Sequence, residues 1–438
     1  MSQYTDSASS NPSLNFDLYA EELSQIAIKA TTSNEGAFTV GVFGSWGSGK
    51  TTLMRLIQKK LIEKDFLKKH GLNQCKTIWF NPWKFDEKEA LWNALIQTIL
   101  LKIKDDPDIN NKQIQENIKK LAISIGLHAY DISKEIFLGL IKKQVKIYTD
   151  VNFDSITSSS SEFFFSNSEL IELLNQHYKT VNKFEEDFKD IVEEYVGKEG
   201  KLIVFIDDLD RCLPENALTI LESLKLYLDQ ANCIFFIGLD KRVIEQAVNQ
   251  RYRNDNITGK EYIEKMIQLN FFLPEKDSDM VKSAVQDSFK GLIAIEDEIW
   301  NMVMRATKGN IRKTKQFIIA WDIIQKIALK LQVEKNMFPK LAKILLIQMN
   351  YPELYDALPK DNYYFMETLK TIIQAHRNRQ DKSLGNHLAA NPDCEKFYND
   401  IDLRNFLIGD SNEPFKPDIS EPEELRNLLK KLSQIGVG

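Results

Sequence analysis

The sequence contains few cysteines and few histidines, and neither type is clustered. Among its 438 residues, four are cysteine and five are histidine. The cysteines show no C-x-x-C spacing and have no neighbouring histidines, so the sequence gives no indication of a zinc-binding module. Isolated cysteines favour reduced thiols in a cytoplasmic protein over a disulfide framework. The four are Cys75, Cys212, Cys233 and Cys394.

Long hydrophobic runs are also missing. No stretch reaches the roughly 18 apolar residues without charges that indicate a membrane-spanning helix. The most apolar segment, Leu121 to Ile141, is interrupted by one histidine and three charged residues, which predicts an amphipathic helix and no membrane insertion. Residues 1–16 lack the basic start and apolar run of a secretory signal. They are predicted to form a disordered lead, and the protein is predicted to be cytoplasmic.

The charge balance has no strong bias. Lys and Arg number 57 against 63 Asp and Glu, which leaves a net charge of −6. This balance disfavours general nucleic-acid affinity, and a DNA-translocating motor is therefore the weakest of the functional hypotheses. With 43% hydrophobic and 27% charged residues, the composition is that of a soluble globular protein with two or three domains.

One glycine-rich stretch has the pattern of a phosphate-binding loop. Gly44 to Thr51 matches G-x-x-x-x-G-K-[ST] in full, between a predicted strand, Phe38 to Phe43, and a predicted amphipathic helix. Backbone N–H groups in such a loop surround a phosphate, and the helix N-terminus adds a positive dipole. Lys50 can reach the β- and γ-phosphates, and the Thr51 hydroxyl can ligate Mg²⁺. The predicted ATP-binding residues are Gly44, Ser45, Trp46, Gly47, Ser48, Gly49, Lys50, Thr51 and Thr52.

A second strand brings acidic residues to the same region. Lys201 to Ile206 is a mostly apolar run that predicts a central parallel strand, followed directly by Asp207 and Asp208. Ligands of such sheets bind at the carboxyl ends of the strands. Asp207 is the predicted Mg²⁺-linked carboxylate, because this cation prefers oxygen ligands. Asp210 and Arg211 are expected to hold the following loop through an ion pair, and the alternative for Arg211 is that it faces a neighbouring subunit.

Several motifs together resemble the KAP family of P-loop NTPases, and they occur in that family's order. The resemblance covers residues from about 17 to 355, with a gap between the two halves of the nucleotide site. The motifs are the Trp46-containing phosphate loop, Asn81-Pro82-Trp83-Lys84-Phe85 with the following Leu91-Trp92, Phe205 to Cys212, Glu261 to Leu269, Gly309 to Arg312, and Leu341 to Leu354.

The resemblance implies roles for further residues. Asp208 stands where related NTPases place the acid that orients the attacking water. Asp240 ends the predicted strand Cys233 to Leu239 and is either a sensor of the γ-phosphate or an N-cap. Arg251 and Arg253 either reach a neighbouring subunit's site or form a solvated helix end. Arg312 is either a γ-phosphate reader or a surface charge.

The resemblance also implies a fold and a function. It predicts an α/β, three-layer P-loop NTPase with a parallel central sheet over residues 17–275, including a helical insert at 101–200. A helical lid at 276–355 and a small helical C-terminal region at 356–438 follow. Many family members carry membrane-spanning helices at the insert, whereas this insert is polar. The implied function is Mg²⁺-dependent ATP hydrolysis as a conformational switch in bacterial signalling or antiphage defence.

The family resemblance further implies an effector protein as partner and leaves homo-oligomerisation open. A competing hypothesis from another class is a nucleotide-gated assembly module that binds ATP and hydrolyses it little. Phosphate release measured with and without activators distinguishes these two hypotheses.

Overall fold

A computed structural model describes most of the chain in two compact units. The first unit extends to Ser45 and then covers Gly49–Leu273, whereas the second comprises Trp46–Ser48 and Pro274–Gly438. Most of the predicted 101–200 insert lies outside the described residues, and so does the segment Leu121 to Ile141 apart from Leu121. Residues 1–14 of the predicted 1–16 lead also lie outside them, whereas Phe16 is buried and begins the first helix. The described residues are 15–30, 36–72, 74–85, 91–107, 117–118, 121, 184–197, 199–229, 232–253, 258–274, 276–286, 295–377, 384–409 and 415–435.

A five-stranded parallel sheet forms the centre of the first unit. Its strand order is β2-β3-β4-β1-β5, so the phosphate-loop strand β1 and the acid-bearing strand β3 both neighbour β4. All the ladders are parallel, and every strand's carboxyl end therefore lies at one edge. The strands are β1 Phe38–Phe43, β2 Cys75–Phe80, β3 Lys201–Ile206, β4 Cys233–Leu239 and β5 Leu269–Phe272.

Alternating side chains of the central strands enter two separate cores. In β3, Leu202 and Val204 pack in one core, while Ile203 and Phe205 pack in the other. Because both faces of the sheet are covered by helices, these strands are apolar along most of their length. The predicted three-layer α/β P-loop fold with a parallel central sheet is confirmed.

The helices of the first unit form the two outer layers. Helices α1 to α3 pack on one face, and the remaining helices pack on the other. Within the predicted insert, residues 184–196 form a helix. The helices are α1 Phe16–Ala30, α2 Lys50–Ile62, α3 Lys64–Lys69, α4 Leu91–Lys104, α5 184–196, α6 Pro214–Tyr227, α7 Lys241–Arg251 and α8 Gly259–Met266.

The second unit is helical and has a core of its own. Its longest described helix, α11, buries Phe317 and Trp321 at the centre of that core. The helices are α9 Ser278–Gln286, α10 Asp297–Thr307, α11 Ile311–Lys330, α12 Phe338–Asn350, α13 Pro352–Ala357, α14 Phe365–Arg377, α15 Leu384–Ala390, α16 Glu395–Asn399, α17 Ile401–Ile408 and α18 Pro422–Ile435.

Two short helices of this unit meet at an acidic residue. A break at Asp400 separates α16 from α17. The Asp400 side chain accepts hydrogen bonds from the backbone N–H groups of Asp402 and Leu403 and so starts a new helix. The division of residues 276–438 into a lid and a C-terminal region stays a prediction. Among the described residues, none of the helices has the length and apolar character needed to cross a membrane.

Candidate functional site

The loop from Gly44 to Gly49 connects β1 to α2 and has a backbone that requires glycine. Gly47 and Gly49 have φ angles of +75° and +103°, which side chains strongly disfavour. A Cβ atom on Gly49 would lie 2.8 Å from the Phe16 ring. At its start the loop is fixed to β4, since the Gly44 N–H donates to the Leu239 carbonyl at 3.2 Å. These features fit a loop that brings its backbone close to a phosphate.

Lys50 is the first residue of α2 and is buried. Its ammonium donates to the Gly44 carbonyl at 2.9 Å, to the Ser45 carbonyl at 3.4 Å and to Asp210 Oδ2 at 3.1 Å. An ammonium has three N–H donors, so these contacts use its full capacity. The ion pair with Asp210 was not foreseen, because Asp210 was expected to hold the loop after β3.

Thr51 and Asp207 meet across the site. The Thr51 hydroxyl donates to Asp207 Oδ2 at 2.8 Å, which brings together the two predicted Mg²⁺ ligands. Burial raises the pKa of Asp207, as does the nearby Asp208 carboxylate, while the Thr51 hydrogen bond opposes the rise. Thr52 lies in the same helical turn and is half-buried. One hydroxyl and one carboxylate are donors of the kind Mg²⁺ takes alongside substrate phosphates and water.

No group of three or more His, Cys, Asp or Glu residues in the described part of the chain could hold a metal by itself. Thr51 and Asp207 supply two oxygen donors, and Mg²⁺ in nucleotide sites is bound by one or two protein ligands and completes its shell with phosphate and water. The residues present therefore fit Mg²⁺ only together with a bound nucleotide.

Asp208 has both carboxylate oxygens occupied. Arg211 Nε lies 2.8 Å from Oδ1, and Asn81 Nδ2 donates to Oδ2 at 3.0 Å. The backbone of Asp208 is left-handed, with φ of +60°, which turns the chain sharply after Asp207. Arg211 also lies over the Trp83 ring, 5.7 Å from its centroid. Arg211 therefore pairs with Asp208.

Asn81 is a site residue to which sequence reasoning assigned no role. It directly follows β2, and the parallel register pairs Phe80 with Ile206, so Asn81 and Asp207 leave the sheet side by side. Its side-chain oxygen is buried and has no hydrogen-bond partner in the structure. The sequence signal was available, because a polar residue after a strand adjacent to the acid-bearing strand must lie at the same sheet edge.

Asp240 ends β4 and caps α7. Its side chain accepts from the Arg242 backbone N–H at 3.1 Å and from the Arg242 guanidinium at 2.9 Å. Burial raises the pKa of Asp240, but these hydrogen bonds and the positive charge outweigh burial and lower the pKa below its ordinary value. Of the two alternatives for Asp240, the N-cap is present in the structure; the sensor role stays a prediction.

The two arginines at the end of α7 differ in their surroundings. Arg251 Nη1 lies 3.3 Å from Glu222 Oε1, and that carboxylate is almost fully buried. Tyr252 and Tyr262 donate hydroxyl hydrogen bonds to the same oxygen. Arg253 is exposed. Arg251 thus has a partner within its own unit.

In the second unit, Trp46–Ser48 contacts the start of α11. The Asn310 side chain donates to the Trp46 carbonyl, and a Cβ atom on Gly47 would lie 2.6 Å from Arg312 Cβ. Asn310 also caps α11 by accepting from the Lys313 N–H. The predicted γ-phosphate reader Arg312 therefore lies beside the tip of the phosphate loop.

Comparison with known proteins gives a match to one family model. Residues 16–328 match the model described as the KAP family P-loop domain. This span covers more than half of the chain and includes both halves of the site.

Two curated relatives illustrate the range of similar proteins. The Phage T7 exclusion protein of Escherichia coli (strain K12) is 26% identical over 272 residues, which is 60% of this chain and 33% of that protein. Kinase D-interacting substrate of 220 kDa from Rattus norvegicus is 26% identical over 111 residues, which is 24% of this chain and 6% of that protein. The chain therefore spans a third or less of the length of these two relatives.

Among solved structures, the chain is similar to the Aeropyrum pernix ORC2 protein in its ADPNP-ADP complexes, with a TM-score of 0.39 and 13% sequence identity. The alignment covers 99% of this chain and 89% of that one. An Aeropyrum pernix ORC1 protein in complex with DNA has the same TM-score and 11% identity, with 99% and 86% of the two chains covered.

Proposed function

This chain belongs to the KAP family of P-loop NTPases, and from that premise we propose that it binds ATP with Mg²⁺ and hydrolyses it as a conformational switch. The observation that carries the proposal is the 2.8 Å contact between the Thr51 hydroxyl and Asp207. In this contact the Thr51 hydroxyl, the proposed metal ligand of the loop, meets the buried carboxylate that follows β3. Such a pairing of a phosphate loop with an acid-bearing strand is what a Mg²⁺–nucleotide site requires.

The residues divide into distinct roles in this proposal. The glycine loop and Lys50 bind the phosphates, while Thr51 and Asp207 hold Mg²⁺, which supplies charge neutralisation at the β- and γ-phosphates. Asp208 orients the attacking water and accepts its proton. Arg312 reads the terminal phosphate, and Asp240 senses it.

Similarity to the phage exclusion protein supports a role in antiphage defence, with an effector protein as the partner that the switch controls. A second candidate function is nucleotide-gated assembly with little hydrolysis. It is favoured by one observation, namely that Asp208 is held by both Arg211 and Asn81. An acid held in this way is poorly placed to accept a proton.

Paired substitutions test the proposed roles. We expect Lys50→Ala to abolish tight ATP binding in a direct titration, while circular dichroism remains that of the wild type. Asp208→Asn keeps the side chain's size and removes its basicity, so ATP binding persists and phosphate release slows by about 10² to 10⁴. Asp207→Asn weakens the Mg²⁺-dependent part of ATP binding instead. Unchanged ATP affinity in Lys50→Ala would exclude this loop as the site.

Slow phosphate release by the wild type itself would favour the assembly function. In that case ATP without hydrolysis should change the protein's association state, as measured by light scattering with ATP and with a non-hydrolysable analogue.

A further inference from the structure

The short 3₁₀ turn that follows β3, Leu209–Arg211, holds two of the proposed functional groups at once. Asp210 Oδ2 pairs with Lys50 Nζ at 3.1 Å, and the neighbouring Arg211 Nε pairs with Asp208 Oδ1 at 2.8 Å. Because Asp210 and Arg211 are consecutive in a single turn, a displacement of one displaces the other. We call Leu209–Arg211 the β3 turn.

The Lys50–Asp210 pair is closely shielded from solvent. The side chain of Lys50 is 9% exposed and that of Asp210 is 1% exposed. The remaining donors of the lysine are directed to the carbonyls of Gly44 and Ser45. A phosphate that binds Lys50 must therefore replace at least one of these partners. Asp210 is the partner that a phosphate opposes most, because two anions would share one cation at close range.

The Asp208 carboxylate has a different second partner. Arg211 covers Oδ1, while the Asn81 amide holds Oδ2 at 3.0 Å. If Arg211 moves away, Oδ1 becomes free to accept a hydrogen bond from water, and Asn81 still orients the carboxylate. The left-handed backbone of Asp208 lies between the strand and the β3 turn, so the turn can move without a shift of the strand.

We propose that Asp210 is a nucleotide-responsive positioning residue. It holds Lys50 until the terminal phosphate of a nucleoside triphosphate takes the lysine, and the resulting movement of the β3 turn withdraws Arg211 from Asp208. Triphosphate binding and release of the water-orienting acid are thereby coupled in one chain. The inference rests on the proposed function, since it uses the phosphate-binding role of Lys50 and the acid role of Asp208.

The first experiment measures binding in the full chain. Asp210→Asn keeps the side chain's size and removes its charge, which leaves Lys50 a stronger partner for phosphate. If the pair is closed in nine of ten molecules, its loss tightens the dissociation constant of a non-hydrolysable, Mg²⁺-bound ATP analogue about tenfold. The constant for ADP changes less. Asp297→Asn, an exposed acid in α10, is the matched control and leaves both constants unchanged.

The second experiment separates binding from turnover. Arg211→Ala frees Asp208 Oδ1 without altering Lys50, so we expect turnover to rise while the affinity for the ATP analogue stays that of the wild type. If Asp210 and Arg211 had only a structural role, Asp210→Asn and Arg211→Ala would both lose thermal stability. Their affinity for the ATP analogue and their turnover would fall with it. Analogue binding by folded Asp210→Asn that is equal to or weaker than wild-type binding would overturn the proposal.

A third measurement uses the unaltered turn and does not depend on the folding of these variants. Trp83 is 54% exposed and lies under the Arg211 guanidinium. Withdrawal of Arg211 should change the Trp83 fluorescence when the ATP analogue saturates the protein, and not when ADP does. Trp83→Phe identifies that component of the signal. A Trp83 signal that does not respond to the analogue overturns the inference, whereas a wild-type chain that binds no nucleotide overturns the proposed function as well.

Discussion

The arginine at the end of α7 offers a direct test of two incompatible roles. Arg251 was considered as a residue that completes a neighbouring subunit's site, yet it pairs with the buried Glu222 in its own unit. Arg251→Ala removes the guanidinium, and Arg253→Ala, two residues on and exposed, is the matched control. We expect the first substitution to destabilise the fold and the second to leave it unchanged.

The magnitude follows from what remains around Glu222. The side chain of Glu222 is 2% exposed, and its Oε1 accepts hydrogen bonds from Tyr252 at 3.0 Å and Tyr262 at 3.2 Å. Removing one partner of a buried ion pair costs about 3–5 kcal/mol, because the other charge stays buried without compensation. Since both tyrosine hydroxyls remain, we expect Arg251→Ala to lower the free energy of unfolding by about 3 kcal/mol at pH 8.

The pH dependence of this loss has a definite sign. Burial already raises the pKa of Glu222, and Arg251 is the largest of the effects that oppose the rise. In Arg251→Ala the pKa of Glu222 rises further, so the folded protein holds a proton that the unfolded chain has released. Stability then falls as pH rises from the ordinary glutamate value, about 4.3, through the raised pKa. The difference from wild type is therefore smaller at pH 5 than at pH 8.

Urea unfolding followed at both pH values measures these differences. Arg253→Ala should stay within about 0.5 kcal/mol of wild type. Glu222→Gln in the Arg251→Ala background removes the buried charge and should recover part of the lost stability. The reasoning is refuted if Arg251→Ala unfolds like the wild type. Loss of a concentration-dependent ATPase rate in such a stable variant would instead establish the role in a neighbouring subunit.

Two further predictions concern single buried or capping groups. Lys343 is buried in the second unit, where its ammonium donates to the Phe415 carbonyl, and burial lowers its pKa to about 7. Between that pKa and the ordinary lysine value of about 10.4, the unfolded chain binds more protons than the folded protein does. The free energy of unfolding should therefore increase as the pH rises, by up to about 1.4 kcal/mol per pH unit. Lys343→Met should remove this slope in thermal unfolding measured from pH 7 to 9. Asp240→Ala should lower the free energy of unfolding by about 1 kcal/mol, because the N-cap of α7 is lost. Asp240→Asn retains the cap. A stable Asp240→Asn variant with slowed phosphate release would therefore indicate that Asp240 is a sensor.

The strands and the phosphate loop were predictable because their signals are local. Apolar runs located β1 and β4 at their observed bounds, and the glycine motif located the turn before α2. The chain order of the motifs also led to the family, which the family-model match confirms. The apolar stretch Tyr262 to Leu273 suits either a helix or a strand, and it contains the end of α8 followed by the whole of β5. A short apolar run does not distinguish these two structures.

The ion pairs were not predictable, because each joins residues that are distant in the chain or that could choose between partners. Lys50 and Asp210 are 160 positions apart, and only the parallel pairing of the strands brings them together. Arg211 has Asp210 next to it in sequence and Asp208 three positions before it, and its ion pair with Asp208 goes with the left-handed turn at that residue. Asn81 needed the register between β2 and β3 before it could be placed.

The sharp turn at Asp208 explains how three acids within four residues can have separate tasks. Three carboxylates so close in sequence would repel one another if they all pointed in one direction. The strand directs Asp207 to Thr51, the left-handed residue presents Asp208 to Asn81, and the β3 turn carries Asp210 to Lys50. Each acid thus has its own donor, and in the proposed switch these donors are replaced in sequence, Lys50 by phosphate first and Arg211 by water afterwards. A site built in this way would bind nucleotide before Asp208 becomes available to water, which is the order of events that the proposed switch requires.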